Sequence, residues 1–157
     1  MSYFPFQNTS ISANQSASNI AELLESLGFD TVGQLSRQSH KIVVATYKGA
    51  EFRFEANADE IFNAMVKEKP RTDRQWISDQ SSRIAWRLLW NQVKNSCDVL
   101  RYKAADIAQV FGGYLVINQP DGKQVGLAQL IIDEVEAGRM LSSKLGKRFL
   151  IEDKSKV

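Results

Sequence analysis

Arg83, Arg87, Trp90 and Lys94 follow one another at steps of four, three and four residues. On a helix such steps stack three cations and an indole on one side. A guanidinium or ammonium group neutralises a phosphate, and an indole offers a plane on which an unpaired base can stack. The chemistry open to this combination is recognition of a polyanion, and an exposed indole suits a single-stranded nucleic acid better than a duplex. Arg71, Arg74, Arg101 and Lys103 flank the same stretch and complete the candidate set. The competing reading is bland: Lys and Arg commonly solvate an exposed helix face, and a Trp at helical spacing commonly packs in a core. Trp86, three residues before Leu89 and seven before Val93, is expected inward. Trp90 is expected nearer the surface.

Other chemistry finds few residues to stand on. With one histidine, His40, and one distant cysteine, Cys97, a zinc site has too few ligands; sequence separation does not forbid a Cys97/His40 nucleophilic pair, but no nucleophile signature or activating turn accompanies it. A Walker loop and a dinucleotide-binding glycine fingerprint are both missing. Asp133, Glu134 and Glu136 cluster on a short helical pattern and read as its solvated side. No catalytic residue, metal or cofactor is expected, and an enzyme is the less favoured class.

The net charge of +2 conceals an uneven layout. Residues 1–60 hold four Lys and Arg against seven acids, a net of −3. Residues 61–103 hold nine against four, a net of +5, and the remainder balances. The positive excess therefore surrounds the candidate residues, which suits an anionic partner. With 43% hydrophobic and 24% charged residues the composition is that of an ordinary globular domain, which argues against disorder or a fibrous repeat. A lone cysteine suits a reducing cytoplasm. No apolar run reaches the roughly 20 residues a membrane span needs, so neither a membrane partner nor a membrane location is expected.

The elements that must position these side chains can be read from periodicity. Arg74 to Cys97 is the longest helical pattern, continuing to about residue 99, with Ile77, Ile84, Ala85, Leu88, Leu89 and Val93 forming an apolar stripe and Asp73 or Thr72 as cap. Before it, Thr9–Ser12 suggests a short strand, and Asn19 with Glu22 the start of a helix stopped by Gly28. Thr31–Arg37, Lys41–Tyr47 and Glu51–Glu55 alternate as three antiparallel strands, with Phe52 and Phe54 facing the helices. Asn57 with Glu60 has capping-box spacing and opens a helix that ends by Pro70. Later come a helix over Lys103–Phe111, a strand-like run Tyr114–Asn118, a turn at Pro120-Asp121-Gly122, and a helix from Leu127 to Val135 closed by Gly138. The expected fold is α+β: a small antiparallel sheet of three to four strands packed on helices, one of them long and central, spanning about 74–99. Residues 1–8 are expected as a flexible arm, 9–141 as one domain and 142–157 as a mobile tail.

Thr9-Ser10-Ile11 with Ser16, Ile20-Ala21-Glu22-Leu23-Leu24 and Leu27-Gly28 resembles the opening of small uncharacterised proteins encoded by bacteriophages and other mobile elements. Trp86-Arg87-Leu88-Leu89 with Lys94 is similar to their middle helix. Pro120-Asp121-Gly122-Lys123-Gln124-Val125-Gly126 resembles their later turn, and Gly138-Arg139-Met140 their closing motif. The chain departs from them at Ala85, where a basic residue is common, at a two-residue insertion, Asn118-Gln119, and at Leu141 in place of proline. The resemblance spans Thr9 to Met140 and implies a setting near replication and recombination genes, with no catalytic residues to carry over. Two functional classes follow. One is a non-catalytic accessory protein binding single-stranded DNA. The other is a protein-interaction module, such as an inhibitor of a host or defence factor, or a self-associating subunit. Arg and Trp are frequent anchors of protein interfaces as well.

Overall fold

The computed structural model describes residues 5–37 and 40–137. Ser12 opens the first helix, α1 (Ala13–Ser26), by accepting a hydrogen bond from the Gln15 backbone N–H at 3.1 Å. The strand expected at Thr9–Ser12 is therefore absent and the helix begins before Asn19, because the Ser12 hydroxyl satisfies an otherwise orphaned donor. At the far end Gly28 takes φ +85°, a left-handed conformation costly for other residues. That bend lets the Gly28 and Phe29 N–H groups donate to the Glu25 and Leu24 carbonyls and turns Phe29 into the core.

Three antiparallel strands follow in the order β1 (Thr31–Arg37), β2 (His40–Tyr47) and β3 (Ala50–Glu55). Lys48 and Gly49 join β2 to β3 with φ +50° and +80°, the paired positive values of a two-residue hairpin turn. The register sets Val43 opposite Phe54 and Ala45 opposite Phe52, and all four are buried on one side of the sheet. Arg53 points the other way and pairs with Glu51 at 2.9 Å. The period of two thus gives the sheet one apolar side, which packs with Ile20, Leu24, Trp86, Leu89 and Val93 in the main core.

Helix α2 (Asp59–Glu68) is capped differently from the expected box: Ala58 is the cap residue, and Asn57 Oδ1 accepts from the Asp59 N–H instead. Its Met65, Ile61, Phe62 and Val66 pack with Ile77 and Ile84 of α3 (Arg74–Arg101) in a second, smaller core. The 28 residues of α3 form one continuous helix. Leu88 is 38% exposed and leaves the apolar stripe assigned to it, since the helix is covered on two sides only.

Beyond α3 the expected helix at Lys103–Phe111 shortens to α4 (Ile107–Phe111). Asp106 and Gln109 make a reciprocal capping box there, while Lys103 takes φ +54° and cannot be helical. A 3-10 turn at Gly112–Tyr114 leads to a separate hairpin, β4 (Val116–Asn118) and β5 (Gln124–Gly126), then to α5 (Leu127–Glu136). The fold is α+β, with a three-stranded and a two-stranded antiparallel sheet. The Gly138 stop, the Gly138-Arg139-Met140 motif and the tail at 142–157 lie outside the described residues, as do the first four residues of the arm. Among the described residues no helix is long and apolar enough to cross a membrane.

Candidate nucleic-acid interface

Asp73 fixes the start of α3, its carboxylate accepting from the N–H groups of Gln75 at 3.4 Å and Trp76 at 3.2 Å. Once that start and the two cores set the helix's rotation, the outward side chains are determined. Ile77, Ile84, Ala85, Leu89 and Val93 are buried, and Trp86 with them at 3% exposure. Arg83, Arg87 and Trp90 are partly exposed and Lys94 is exposed. The expected division between the two indoles is what the packing produces.

Around Trp90 the cations gather on the ring. The Arg87 guanidinium carbon lies 3.9 Å from the indole centroid and Lys94 Nζ lies 5.3 Å from it. Both fall within cation–π range, where a positive charge meets the negative face of the ring. No carboxylate among the described residues forms an ion pair with Arg83, Arg87 or Lys94. Among the described residues, no acid neutralises their charge, which leaves it available to an incoming anion.

The other candidate residues scatter. Arg101 lies eighteen residues after Arg83, five full turns at 3.6 residues each, and so shares its side about 27 Å along. It pairs with Asp98 at 3.6 Å in an exposed, weak contact. Arg74 lies nine residues before Arg83, two and a half turns, and therefore projects from the opposite side. Arg71 sits in the α2–α3 connection and Lys103 beyond the end of α3, both exposed. The structure thus brings together Arg87, Trp90 and Lys94, aligns Arg83 and Arg101 with them, and sets Arg74 apart.

Two aromatic side chains join this surface that the sequence reading did not include. Phe6 is 37% exposed with its ring centroid 6.0 Å from the Arg87 guanidinium. The turn that carries it is held to α3 by Gln80, whose side-chain amide donates to the Gln7 carbonyl at 2.8 Å. Nothing in the local sequence signals that long-range contact. Trp76 is 45% exposed and has Lys69 Nζ 5.7 Å from its ring centroid. A signal did exist for it, because Trp76, Arg83 and Trp90 repeat every seven residues, two helical turns.

Cys97 is buried at 1% exposure, and burial pushes its thiol up from the ordinary value, with Asp98 reinforcing the effect and Arg101 opposing it. A thiol shifted in this direction is a poor nucleophile. Between the start of α2 and α3 lies an open cleft of about 810 Å³, lined by Asn57, Asp59, Gln75, Ser78, Asp79 and Ser82 among others. Its two aspartates make it a poor seat for phosphate. Among the described residues no group of three or more His, Cys, Asp or Glu converges in a way that could hold a metal. No protein-family model, curated protein or solved structure matches the chain.

Proposed function

We propose that this protein is a non-catalytic accessory factor that binds single-stranded nucleic acid, single-stranded DNA in particular, along the outward side of α3. The observation that carries the reading is the cluster at Trp90: a guanidinium 3.9 Å from a partly exposed indole, a second cation at 5.3 Å, and no acid paired with either among the described residues. Phosphates take the charges of Arg83, Arg87 and Lys94, and a base stacks on the guanidinium–indole pair, an interaction worth roughly 1–3 kcal/mol per base. A convex helix side with exposed rings reaches unpaired bases more readily than bases inside a duplex. The motif resemblance to phage-encoded proteins is what supports a link to replication or recombination.

The test is the affinity for short single-stranded DNA at low and moderate salt, with Arg87→Ala and Lys94→Ala alongside the parent protein. Binding that weakens as salt rises, and weakens further in both variants, is the expected result. Absent binding, or binding indifferent to salt and to both substitutions, overturns the proposal.

One observation favours the second reading, a protein-interaction module. On α5, Ile131, Ile132 and Val135 are 42%, 48% and 57% exposed, and none of the helix's residues is buried. Apolar side chains in such a row are what a host protein or a second copy of this chain would cover. A monomeric mass by light scattering, with no partner recovered from lysate, removes that reading.

A further inference from the structure

We infer that the interface on α3 has a second stacking station at Trp76, so that the protein grips a single strand at two points separated by a fixed length of helix. This inference rests on the proposed single-strand binding and adds the length of strand the site requires. Trp76 and Trp90 are fourteen residues apart, close to four turns, so their Cα atoms lie on nearly the same side about 21 Å from one another. Each ring has a cation near it: Lys69 Nζ at 5.7 Å from the Trp76 centroid, Arg87 and Lys94 at Trp90. Arg83 stands midway between the rings on the same side. Trp76 is 45% exposed although burial of an indole is strongly favourable, while Gln80, one turn further on, is buried beneath the Gln7–Thr9 segment.

The two stations differ in kind. Near Trp90 the cations have no paired acid among the described residues, whereas Trp76 has Asp73 at the helix cap and Asp79 on the helix close by in sequence, along with Lys69 from the end of α2. Trp76 therefore contributes stacking with little net charge. At about 3.4 Å per nucleotide along a stacked strand, 21 Å corresponds to about six nucleotide steps from one stacked base to the other. An oligonucleotide of four residues reaches one station, and one of ten or more reaches both.

The experiment is a fluorescence or anisotropy titration of oligothymidylates of four and twelve nucleotides with the full chain, with Trp76→Ala and with Arg87→Ala. The parent protein is expected to bind the twelve-mer about tenfold more tightly than the four-mer, beyond the statistical gain from extra registers. Trp76→Ala should lose that preference while keeping the four-mer affinity and the salt dependence. Arg87→Ala should weaken both oligonucleotides. If Trp76→Ala binds both lengths as the parent does while Arg87→Ala is weakened, the second station is wrong and single-strand binding stands. If the parent binds neither oligonucleotide, the underlying reading fails and takes this inference with it. Circular dichroism of Trp76→Ala, unchanged for an exposed side chain, excludes unfolding as the cause of any loss.

Discussion

Trp86 and Trp90 stand one turn apart on α3, about forty degrees of rotation from each other, yet one lies inside the main core and the other packs against its edge. The first is 3% exposed in the main core; the second is partly exposed with two cations against its ring. Their identity is the same, so the difference comes from neighbours. Trp86 has Leu89 three residues on and Val93 seven on, both buried. Trp90 has Arg87 three residues back and Lys94 four on. A ring among aliphatic neighbours gains by leaving water, while burying Trp90 would carry Arg87 and Lys94 into a place where their charges lose hydration without a partner. The border of the core therefore passes between two identical side chains.

The sharpest way to break this comparison is to truncate each ring. Trp86→Ala should cost about 3–5 kcal/mol of unfolding free energy, because a large side chain leaves a cavity in a packed core. Trp90→Ala should cost well under half of that and should mainly reduce nucleic-acid binding. Urea denaturation of the two variants checks this, and equal losses would mean that the two sides of α3 are not distinct. Next in size is the effect of charge. Arg87→Ala should lower single-strand affinity about three- to tenfold and reduce the salt slope by about 0.7, the contribution of one phosphate contact. Arg74→Ala, on the opposite side, should change neither. Filter binding across a salt series reads both.

How much of this was legible beforehand varies with the range of the interaction that decides it. The three-stranded sheet and the start of α3, with Asp73 or Thr72 as its cap, depend on local chemistry and were readable. So was the side shared by Arg83, Arg87, Trp90 and Lys94, since helical geometry alone sets it. The start of α1 was misplaced because Ser12 and Asn19 are both competent caps and only the packing of Ala17 and Ile20 selects the first. The late start of α4 has a similar origin, with Asp106 and Gln109 outcompeting the earlier residues. Phe6 joined the surface through Gln80, a contact spanning 73 residues from Gln7, and no window of sequence contains it. Trp76 was legible in the seven-residue repeat that it shares with Arg83 and Trp90.

The buried side of α3 also makes a prediction about alkali. Cys97 has its pKa raised by burial and so favours the neutral thiol in the folded state. Tyr114, half-buried against Phe54, is raised for the same reason. A group whose folded pKa lies above its unfolded value contributes stability that is complete below the ordinary value, 9.0 for the thiol and 10.0 for the phenol, and is lost as pH rises through the folded value. The urea midpoint should hold steady up to about pH 9 and fall above it, and the thiol should react slowly with a disulfide reagent until the fold opens. A midpoint that stays level to pH 11, or prompt reaction at pH 8, would show that this side is not sealed.

The smallest expected effect tests the exposed side from the opposite direction. Asp79 is exposed, one turn before Arg83 and eleven residues, about three turns, before Trp90, so it stands on the candidate track as its one central acid. Its carboxylate accepts from the Gln75 side-chain amide at 3.1 Å, a bond that an asparagine oxygen can also accept. Asp79→Asn therefore keeps the local hydrogen bond and removes only the charge. Between solvent-exposed groups that charge is worth at most about 1 kcal/mol, so single-strand affinity should rise about two- to threefold at low salt. The gain should vanish near 1 M salt, where the screening length falls to about 3 Å. Unchanged binding in Asp79→Asn at low salt would mean that the strand avoids this stretch of α3, separating Trp76 from Trp90 and leaving the Arg87–Trp90–Lys94 cluster as a single, isolated contact.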